Sequence, residues 1–378
     1  MTYELAPIAR ITGGIGARAR LGDLATGLGG TGAAVLLVAD RGLAATGLAA
    51  EVEGILRKAG HGVTVFSDFA SDPTIAQTDA AAGLARATRA AVVVALGGGS
   101  ALDLGKAVAA VATAPASALD YELCRQPFPA TRLRTICAPT TAGTGSELTR
   151  TAVLTRADKA KIWLWGAELR ADEVVLDPEL TVGLPPALTA ATGIDALVHA
   201  AEAATNANAT AANNVYAHEA IRLVARHLEA AVADGRDLVA RDAVQRAAAL
   251  AGVAIDNAGT AIAHNIGHAL ASIRSVHHGR AVGLAMLATN AWNAADDDGR
   301  WAACAAALGA RDFASGFERL LRAVGVKVGL AAEFAGVAPD ALLAKMLAPE
   351  NAPMRRSNRR ASTEADLRRF AETMLTQS

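Results

Sequence analysis

Two short segments of the chain carry residue types that bind divalent metal ions. An aspartate and a histidine, Asp195 and His199, stand four positions apart. In a helix this spacing puts both side chains on one face, within reach of one ion. A histidine pair with the same spacing and an adjacent histidine duplication follow later in the chain: His264 and His268, then His277 and His278.

One carboxylate with three neutral imidazoles is a ligand set typical of catalytic metal sites, since it leaves a coordination position for substrate. The surrounding segments are rich in alanine, so burying these groups without an ion would be costly. The residue types alone do not choose between His264 and His268. They do not choose the metal either, because no thiolate is present and imidazole with carboxylate suits both Zn²⁺ and Fe²⁺. Three further histidines are interpreted as surface or hydrogen-bonded core residues: His61, His218 and His227.

A glycine run predicts a phosphate site in the first half of the chain. The apolar run Ala91–Leu96 leads directly into Gly97, Gly98, Gly99 and Ser100, and a helical stretch with Asp103 follows. Glycines let a ligand approach the backbone, and a helix start presents unpaired N–H groups to an anion. The run is neither GxGxxG nor the P-loop pattern. The alternative is a tight turn between a strand and a helix.

A second polar loop, 139–147, follows another apolar run and holds four hydroxyl side chains: Thr140, Thr141, Thr144 and Ser146. Ligands of parallel sheets bind beyond the carboxyl ends of the strands, so two such loops support each other. Asp40 ends a third apolar run. A carboxylate there suits the adenosine ribose hydroxyls and disfavours a 2′-phosphate, although the adjacent Arg41 weakens that inference.

The hydrophobic pattern predicts an α/β first half and a helical second half. Short apolar runs alternate with helical patterns up to Pro185-Pro186, as in a parallel sheet covered on both faces. Beyond this pair the pattern is helical, so we expect domains at 1–185 and 186–378, the last helix being capped by Ser362. The predicted strands and helices of the first half are Ala34–Ala39, Val63–Phe66, Ala91–Leu96, Thr135–Ala138 and Val174–Leu176, with Gly47–Ala59 and Thr74–Thr88.

Composition excludes several classes of protein. Of the 378 residues 52% are hydrophobic, and the formal net charge is −1. These values favour well-filled cores and disfavour nucleic acid as a partner. No apolar run is long enough for a membrane span, and the start of the chain lacks the pattern of a signal peptide. The three cysteines, Cys124, Cys137 and Cys304, show no CxxC spacing, which predicts reduced core thiols and a cytoplasmic protein.

Five motifs stand in order along nearly the whole chain: GGGSALDLGK, PTTAGTGSELT, DPELTVGLP, GIDALVHAAEA and HNIGHALASIRSVHHG. In this combination the chain resembles the iron-containing (group III) alcohol dehydrogenases. The resemblance implies an N-terminal Rossmann-like dinucleotide-binding α/β domain and a C-terminal all-helical metal-binding domain. It also implies an NAD(P)-linked alcohol dehydrogenase that acts by hydride transfer. The expected cofactors are NAD, or NADP, and Fe²⁺, or Zn²⁺ or another divalent ion, and we expect a homodimer.

The resemblance also assigns residues, one by one. The metal ligands fall on Asp195, His199, His264 and His278, and His268 falls near the nicotinamide as a catalytic residue. Thr151 and Ile255 fall on substrate-facing positions. One departure is Asp72-Pro73, where the family has Asn-Pro. The implied cofactor-binding residues are Asp40, Asp72, Gly97, Gly98, Gly99, Ser100, Asp103, Thr140, Thr141, Thr144, Ser146, Lys161 and Leu180.

Three other functions fit parts of the pattern. A maleylacetate reductase shares the histidine spacing but needs cationic groups for a dianionic substrate, for which Arg274 is a candidate. A dehydroquinate synthase-like lyase has a similar fold, but the HxxxH pattern argues against it. A metal-storage or NAD-sensing protein would bind the same cofactors without turnover.

Overall fold

The structure is a computed structural model that describes residues 3–376. The described residues form two compact units. One unit consists of 7–141 and 146–184, and the other consists of 3–6, 142–145 and 185–376. We call them the α/β unit and the helical unit.

The α/β unit is built on a parallel sheet. Among the described residues, six strands form this sheet in the order β1-β8-β5-β4-β2-β3, and β6 and β7 form a separate antiparallel hairpin. The strands are β1 Arg10–Gly13, β2 Ala34–Ala39, β3 Gly62–Phe66, β4 Val92–Gly97, β5 Arg134–Pro139, β6 Thr151–Thr155, β7 Lys161–Trp165 and β8 Glu173–Leu176. The α-helices are α1 Leu21–Gly29, α2 Arg41–Ala44, α3 Leu48–Lys58, α4 Ile75–Ala87 and α5 Gly99–Val111.

The central strands lie in the core because their side chains are apolar on both faces. Every residue of β4 is buried, as are all but the first of β2 and of β5. Such runs suit a sheet covered by helices on both sides. The predicted strands and helices of the first half are present, each within one residue of its expected ends.

The hairpin of β6 and β7 and the edge strand β1 were not predicted. In the hairpin, buried and more exposed residues alternate, so it has no continuous apolar run. β1 has only four residues and pairs with β8 on one side. These strands are stabilised by pairing with neighbouring strands, and their own sequences contain only a weak strand pattern.

The helical unit contains α6 Pro186–Thr205, α7 Ala211–Ala233, α8 Leu238–Ala258, α9 Ile262–Ala271, α10 His278–Ala294, α11 Arg300–Leu308, α12 Phe313–Ala323, α13 Pro339–Leu347, α14 Ala352–Ser357 and α15 Glu364–Thr376. Its centre is α6, which is buried along its whole length from Thr189 to Thr205. Small alanine side chains allow helices to pack around it on every side. Within residues 3–376 no helix is long and apolar enough to cross a membrane.

Two local predictions were wrong. Thr363, and not Ser362, caps α15: the Asp366 N–H donates to Thr363 Oγ1 at 3.1 Å, and the Thr363 N–H donates to Asp366 Oδ2 at 3.0 Å. This reciprocal pair satisfies N–H groups at the helix start. Cys124 is exposed, whereas Cys137 and Cys304 are buried as expected. Cys124 ends the short 3₁₀ helix Ala118–Cys124 and begins a run of exposed residues, 124–127.

Candidate functional site

The helix α6 supplies the first two residues of a candidate metal centre. Asp195 and His199 are four positions apart on this helix, and both are buried. His199 Nδ1 lies 3.3 Å from the carbonyl oxygen of Gly143. A proton on Nδ1 donates to that carbonyl and leaves Nε2 as the ring nitrogen available to an ion.

The helices α9 and α10 bring two more histidines to Asp195. The Nε2 atoms of His264 and His278 each lie 3.7 Å from Asp195 Oδ1. The close approach of α10 requires a glycine after His278, because a Cβ at Gly279 would lie 2.1 Å from the carbonyl oxygen of Ala191. Asp195, His199, His264 and His278 each offer a ligand atom, and these atoms lie within 4.8 Å of one another.

Two buried atoms of this group show that it suits a cation. Asp195 Oδ1 and His264 Nε2 are buried and make no hydrogen bond to any described residue. Their separation of 3.7 Å is too long for a hydrogen bond between them. Leaving such atoms without a partner costs about 1–3 kcal/mol each, and more for a charged group. A divalent ion would satisfy both, so the residues present fit the metal that the motifs imply.

The protonation of the group follows from burial and charge. Burial lowers the pKa of His199 to about 4, so this imidazole is neutral at pH 7. Burial alone would raise the pKa of Asp195, but His199, His278 and His264 hold it below its usual range. Burial alone would also lower the pKa of His264, yet the carboxylates of Glu202 and Asp195 raise it to about 9. Two buried carboxylates thus attract positive charge at this point.

The structure shows which histidine of each pair, His264 or His268 and His277 or His278, belongs to the cluster. The ring of His268 lies 6.4 Å from that of His264 and 5.3 Å from that of His278, centroid to centroid. His268 therefore lies beside the group and is not one of its four members. His277 is the exposed N-cap residue of α10, while the adjacent His278 points toward Asp195.

Sequence reasoning missed one buried residue of this site, Glu202. It lies on α6 seven positions after Asp195, on the same helical face, and is 2% exposed. Its carboxylate accepts a hydrogen bond of 2.6 Å from His264 Nδ1. The signal was present in GIDALVHAAEA, where Asp195, His199 and Glu202 follow helical spacing.

The α/β unit holds a second candidate site, at the carboxyl ends of β2 and β4. These strands are neighbours in the sheet, and the chain runs outward from them in opposite directions, β2 to β3 and β4 to β5. Dinucleotides bind at such a switch point. Asp40 follows β2, and its Oδ1 caps α2 by accepting from the N–H of Gly42 at 2.7 Å. Its Oδ2 faces Gly97, where an added Cβ would come within 3.2 Å.

The glycine run forms the turn from β4 into α5. Gly97 has φ +149°, which disfavours any residue with a Cβ, and Gly98 is the N-cap of α5 with no side chain to occupy the helix start. Gly99 and Ser100 open the helix, so their N–H groups point out of its first turn. Thr141 lines the same turn, since a Cβ at Gly98 would lie 3.2 Å from its side chain.

Asp72 and Lys161 form an ion pair beside this turn. The Asp72 N–H donates to Ser100 Oγ at 3.0 Å, and Asp72 has a positive φ of 62°, which aspartate and asparagine tolerate. Lys161 Nζ also donates to Thr155 Oγ1 at 3.3 Å. The residue that departs from the family pattern is thus paired with a lysine of the expected cofactor set.

The expected cofactor residues Asp103 and Ser146 hold each other. The Ser146 hydroxyl donates to Asp103 Oδ1, and Oδ2 of the same carboxylate accepts from the Val153 N–H at 3.0 Å. Lys106, which is 1% exposed, lies 3.3 Å from Asp103 Oδ1. The Lys106 ammonium also donates to the carbonyl oxygens of Ser146 and Thr151 at 2.6 and 2.5 Å. This buried lysine fixes the segment after the second polar loop, a role that sequence reasoning missed.

The remaining expected residues are distributed over both units. Thr140 is buried, and its N–H donates to the carbonyl oxygen of Gly97 at 2.9 Å. Leu180 is buried in the core of the α/β unit. Thr151 is partly exposed at the start of β6 in the α/β unit. Thr144 and Ile255 are partly exposed and belong to the helical unit.

The structure thus combines a parallel sheet that has a glycine turn at its switch point with a helical unit that carries an Asp-His₃ cluster able to hold a metal ion. Residues 9–178 match the family model for iron-containing alcohol dehydrogenase, and residues 189–365 match its C-terminal model. The chain belongs to the iron-containing alcohol dehydrogenase family. The predicted family, fold class and enzyme class, an oxidoreductase acting on CH–OH groups, are thereby confirmed, and NAD and a divalent metal are the cofactors of this family.

Individual relatives support the same family. Long-chain-alcohol dehydrogenase 1 of Geobacillus thermodenitrificans is 39% identical over 247 residues, which cover 65% of this chain and 62% of that protein. Choline dehydrogenase of Bacillus subtilis is 37% identical over 290 residues, covering 75% and 71%. The match therefore spans less than two thirds of the first relative. The crystal structure of sulfoacetaldehyde reductase from Bifidobacterium kashiwanohense, in complex with NAD⁺, is similar with a TM-score of 0.90 and 28% identity, covering 100% of this chain and 99% of that chain.

Proposed function

We propose that this protein is an NAD(P)-linked, metal-dependent alcohol dehydrogenase that interconverts an alcohol with an aldehyde or ketone. The observation that carries the proposal is the buried cluster in which Asp195 Oδ1 and His264 Nε2 face each other without a hydrogen-bond partner among the described residues. The α/β unit would bind the dinucleotide, and the helical unit would hold the metal. The names of the relatives support this reaction class, since they act on alcohols or aldehydes.

The proposal assigns the residues as follows. The metal would be held by Asp195, His199, His264 and His278. The pyrophosphate would lie at the turn from Gly97 to Ser100, because this turn offers backbone N–H groups at a helix start. Asp40 Oδ2 would accept from the adenosine ribose hydroxyls. The other proposed cofactor contacts are the residues that the resemblance assigns to the cofactor. Thr151 and Ile255 are proposed to face the substrate.

When bound, the metal would supply Lewis acidity at the alcohol oxygen, and the dinucleotide would supply the hydride acceptor. The chain's own part is to hold these groups and to move the alcohol proton. His268 is proposed to carry that proton, since its ring lies 5.3 Å from the ring of His278 and it is partly exposed. Imidazole is the side-chain group that most often transfers protons in enzymes that work near neutral pH.

A metal analysis coupled to an activity panel tests this proposal. Purified protein loaded with Fe²⁺ or Zn²⁺ should reduce NAD⁺ or NADP⁺ on addition of simple alcohols. His264→Ala should lose metal and activity together, while His227→Ala, on α7 and outside the cluster, should keep both. Full metal occupancy in His264→Ala would refute the ligand assignment. Absence of turnover with a broad panel of alcohols and aldehydes would refute the proposal that the protein is an alcohol dehydrogenase.

The maleylacetate reductase alternative receives no support from Arg274. Its guanidinium donates to the carbonyl oxygens of Glu333 and Ala335 at 2.6 and 2.9 Å. The nearby Arg280 donates to Glu333 Oε1 and to the carbonyl oxygen of Lys327, both at 3.0 Å. Both arginines therefore hold the segment 327–335, and a dianionic substrate would have to compete with these contacts.

We also propose a homodimer in the cytoplasm. The edge strand β1 and its flanks expose apolar side chains, with Ile8 44%, Ile11 43% and Ile15 65% exposed. Exposed apolar groups along a sheet edge suit pairing with a second copy. Light scattering should give twice the chain mass, and Ile11→Lys should give monomer; a monomeric native protein at micromolar concentration would contradict the dimer. The three free thiols support the cytoplasm as the compartment, because thiols stay reduced there. Cell fractionation checks this location.

A further inference from the structure

Glu202 is a buried carboxylate next to the metal cluster with three hydrogen-bond donors around it. We infer that Glu202 is a positioning residue: it decides which ring nitrogen of His264 faces Asp195 and so sets the affinity of the cluster for metal. The inference rests on the proposed metal site. It adds to that site a residue that does not itself touch the metal.

The first two donors place the helix that carries His264. The Ala263 N–H donates to Glu202 Oε1 at 2.6 Å, and the Ala261 N–H donates to Oε2 at 2.7 Å. Ala261 is the N-cap residue of α9 and Ala263 lies in its first turn, and α9 has no side-chain cap of its own at this end. Glu202 thus satisfies helix-start N–H groups from a neighbouring helix, and fixes the turn on which His264 stands.

The third donor is the His264 ring. Nδ1 lies 2.6 Å from Glu202 Oε2, the oxygen that also accepts from Ala261. An ionised carboxylate only accepts hydrogen bonds, so Nδ1 must carry the proton. In the neutral ring Nε2 then presents its lone pair, and this atom is the one that lies 3.7 Å from Asp195 Oδ1. A hydrogen bond from the far ring nitrogen to a carboxylate also makes the imidazole a stronger ligand.

Glu202→Gln removes this control with little change of size. The amide has one acceptor and one donor group, so it cannot accept from all three donors at once. Where its NH₂ faces Nδ1, the ring must accept, and the His264 proton moves to Nε2, the atom meant for the metal. Loss of such a supporting hydrogen bond costs about 10–100-fold in metal affinity.

The experiment measures Zn²⁺ affinity and Zn²⁺ release in the full-length, metal-free protein by competition with a chelator. We expect Glu202→Gln to bind about 10–100-fold more weakly than wild type, with an unchanged circular dichroism spectrum. The matched control is Glu122→Gln, since Glu122 is also a buried carboxylate but pairs with Arg125 and Arg156 in the α/β unit. Its affinity should stay within about twofold of wild type. Equal affinities in wild type and Glu202→Gln would overturn the inference.

A further measurement shows whether Glu202 acts through His264. In ¹⁵N-histidine NMR of Zn²⁺-loaded wild type, one ring should keep a slowly exchanging, strongly downfield Nδ1–H that His264→Ala removes. Its absence would also overturn the inference, whether or not the variants fold. If wild type binds no Zn²⁺, the proposed metal site itself is wrong; tight binding that Glu202→Gln leaves unchanged refutes only the role of Glu202.

Discussion

Replacing Lys106 with methionine should destabilise the α/β unit strongly, although the side chain keeps its approximate length. Lys106 is 1% exposed, and its ammonium donates to the carbonyl oxygens of Ser146, Thr149 and Thr151 while facing Asp103. Methionine leaves these carbonyls without their donor and the carboxylate without its cation. Breaking a buried pair by removing one partner costs about 3–5 kcal/mol.

The assay is thermal unfolding followed by circular dichroism. For a cooperative unit of this size 1 kcal/mol shifts Tm by about 2–4 °C, so Lys106→Met should lower Tm by about 10 °C. The control is Lys58→Met at the exposed end of α3, which should change Tm by less than about 2 °C because surface substitutions cost little. If the two variants unfold within about 2 °C of each other, the buried ammonium does not hold this segment and the reasoning fails.

Two further predictions concern charge in the α/β unit. Asp72→Asn should free Lys161 for an anionic ligand and tighten NAD⁺ binding by up to about fivefold, since an ion pair with one exposed partner is worth about 0–1 kcal/mol. Calorimetry checks this, with the exposed Asp23→Asn as control, and weaker binding would contradict it. Burial raises the pKa of Glu147 from 4.5 to about 7, so the native state binds this proton more tightly than the unfolded chain. The stability that this proton contributes is full below pH 4.5 and is lost as the pH rises through 7. Glu147→Gln should therefore be about 3 kcal/mol more stable than wild type at pH 8 and equally stable near pH 4.5. If the Tm values of the two proteins change in parallel with pH, the prediction is wrong.

The sequence predicted those parts of the fold that have a strong local signal. Short runs rich in apolar and β-branched residues predicted β2 to β5 and β8. The signal is strongest in β2 and β4, because a strand buried on both faces has to be apolar throughout. The hairpin of β6 and β7 has a weaker alternating pattern, and its strand β7 contains Trp163 and Trp165. Trp165 is 47% exposed, and the Arg150 guanidinium lies 5.2 Å from its ring centroid. Such a contact depends on tertiary structure and leaves no mark in local sequence.

In the metal cluster, sequence spacing predicted which residues share a helical face but not what supports them. The resemblance chose His278 over His277, and in the structure His278 is the one that faces Asp195. Glu202 was overlooked because a single glutamate in an alanine-rich helix is ordinarily a surface residue. Its importance appears only when the start of α9 is placed against α6. The roles of the cofactor and substrate residues stay predictions.

The short segment Ala142–Gly145 has a consequence for how the chain is made. It belongs to the helical unit, where an added Cβ at Gly143 would lie 2.7 Å from Thr192 and one at Gly145 would lie 2.5 Å from Gly252. A ribosome releases these two glycines long before it has made α6 and α8. During translation the segment therefore cannot yet pack against these helices. A nascent chain that ends after the sheet would lack them altogether. Circular permutants and fusions should preserve this early segment together with the late helices, since neither unit is one continuous stretch of chain.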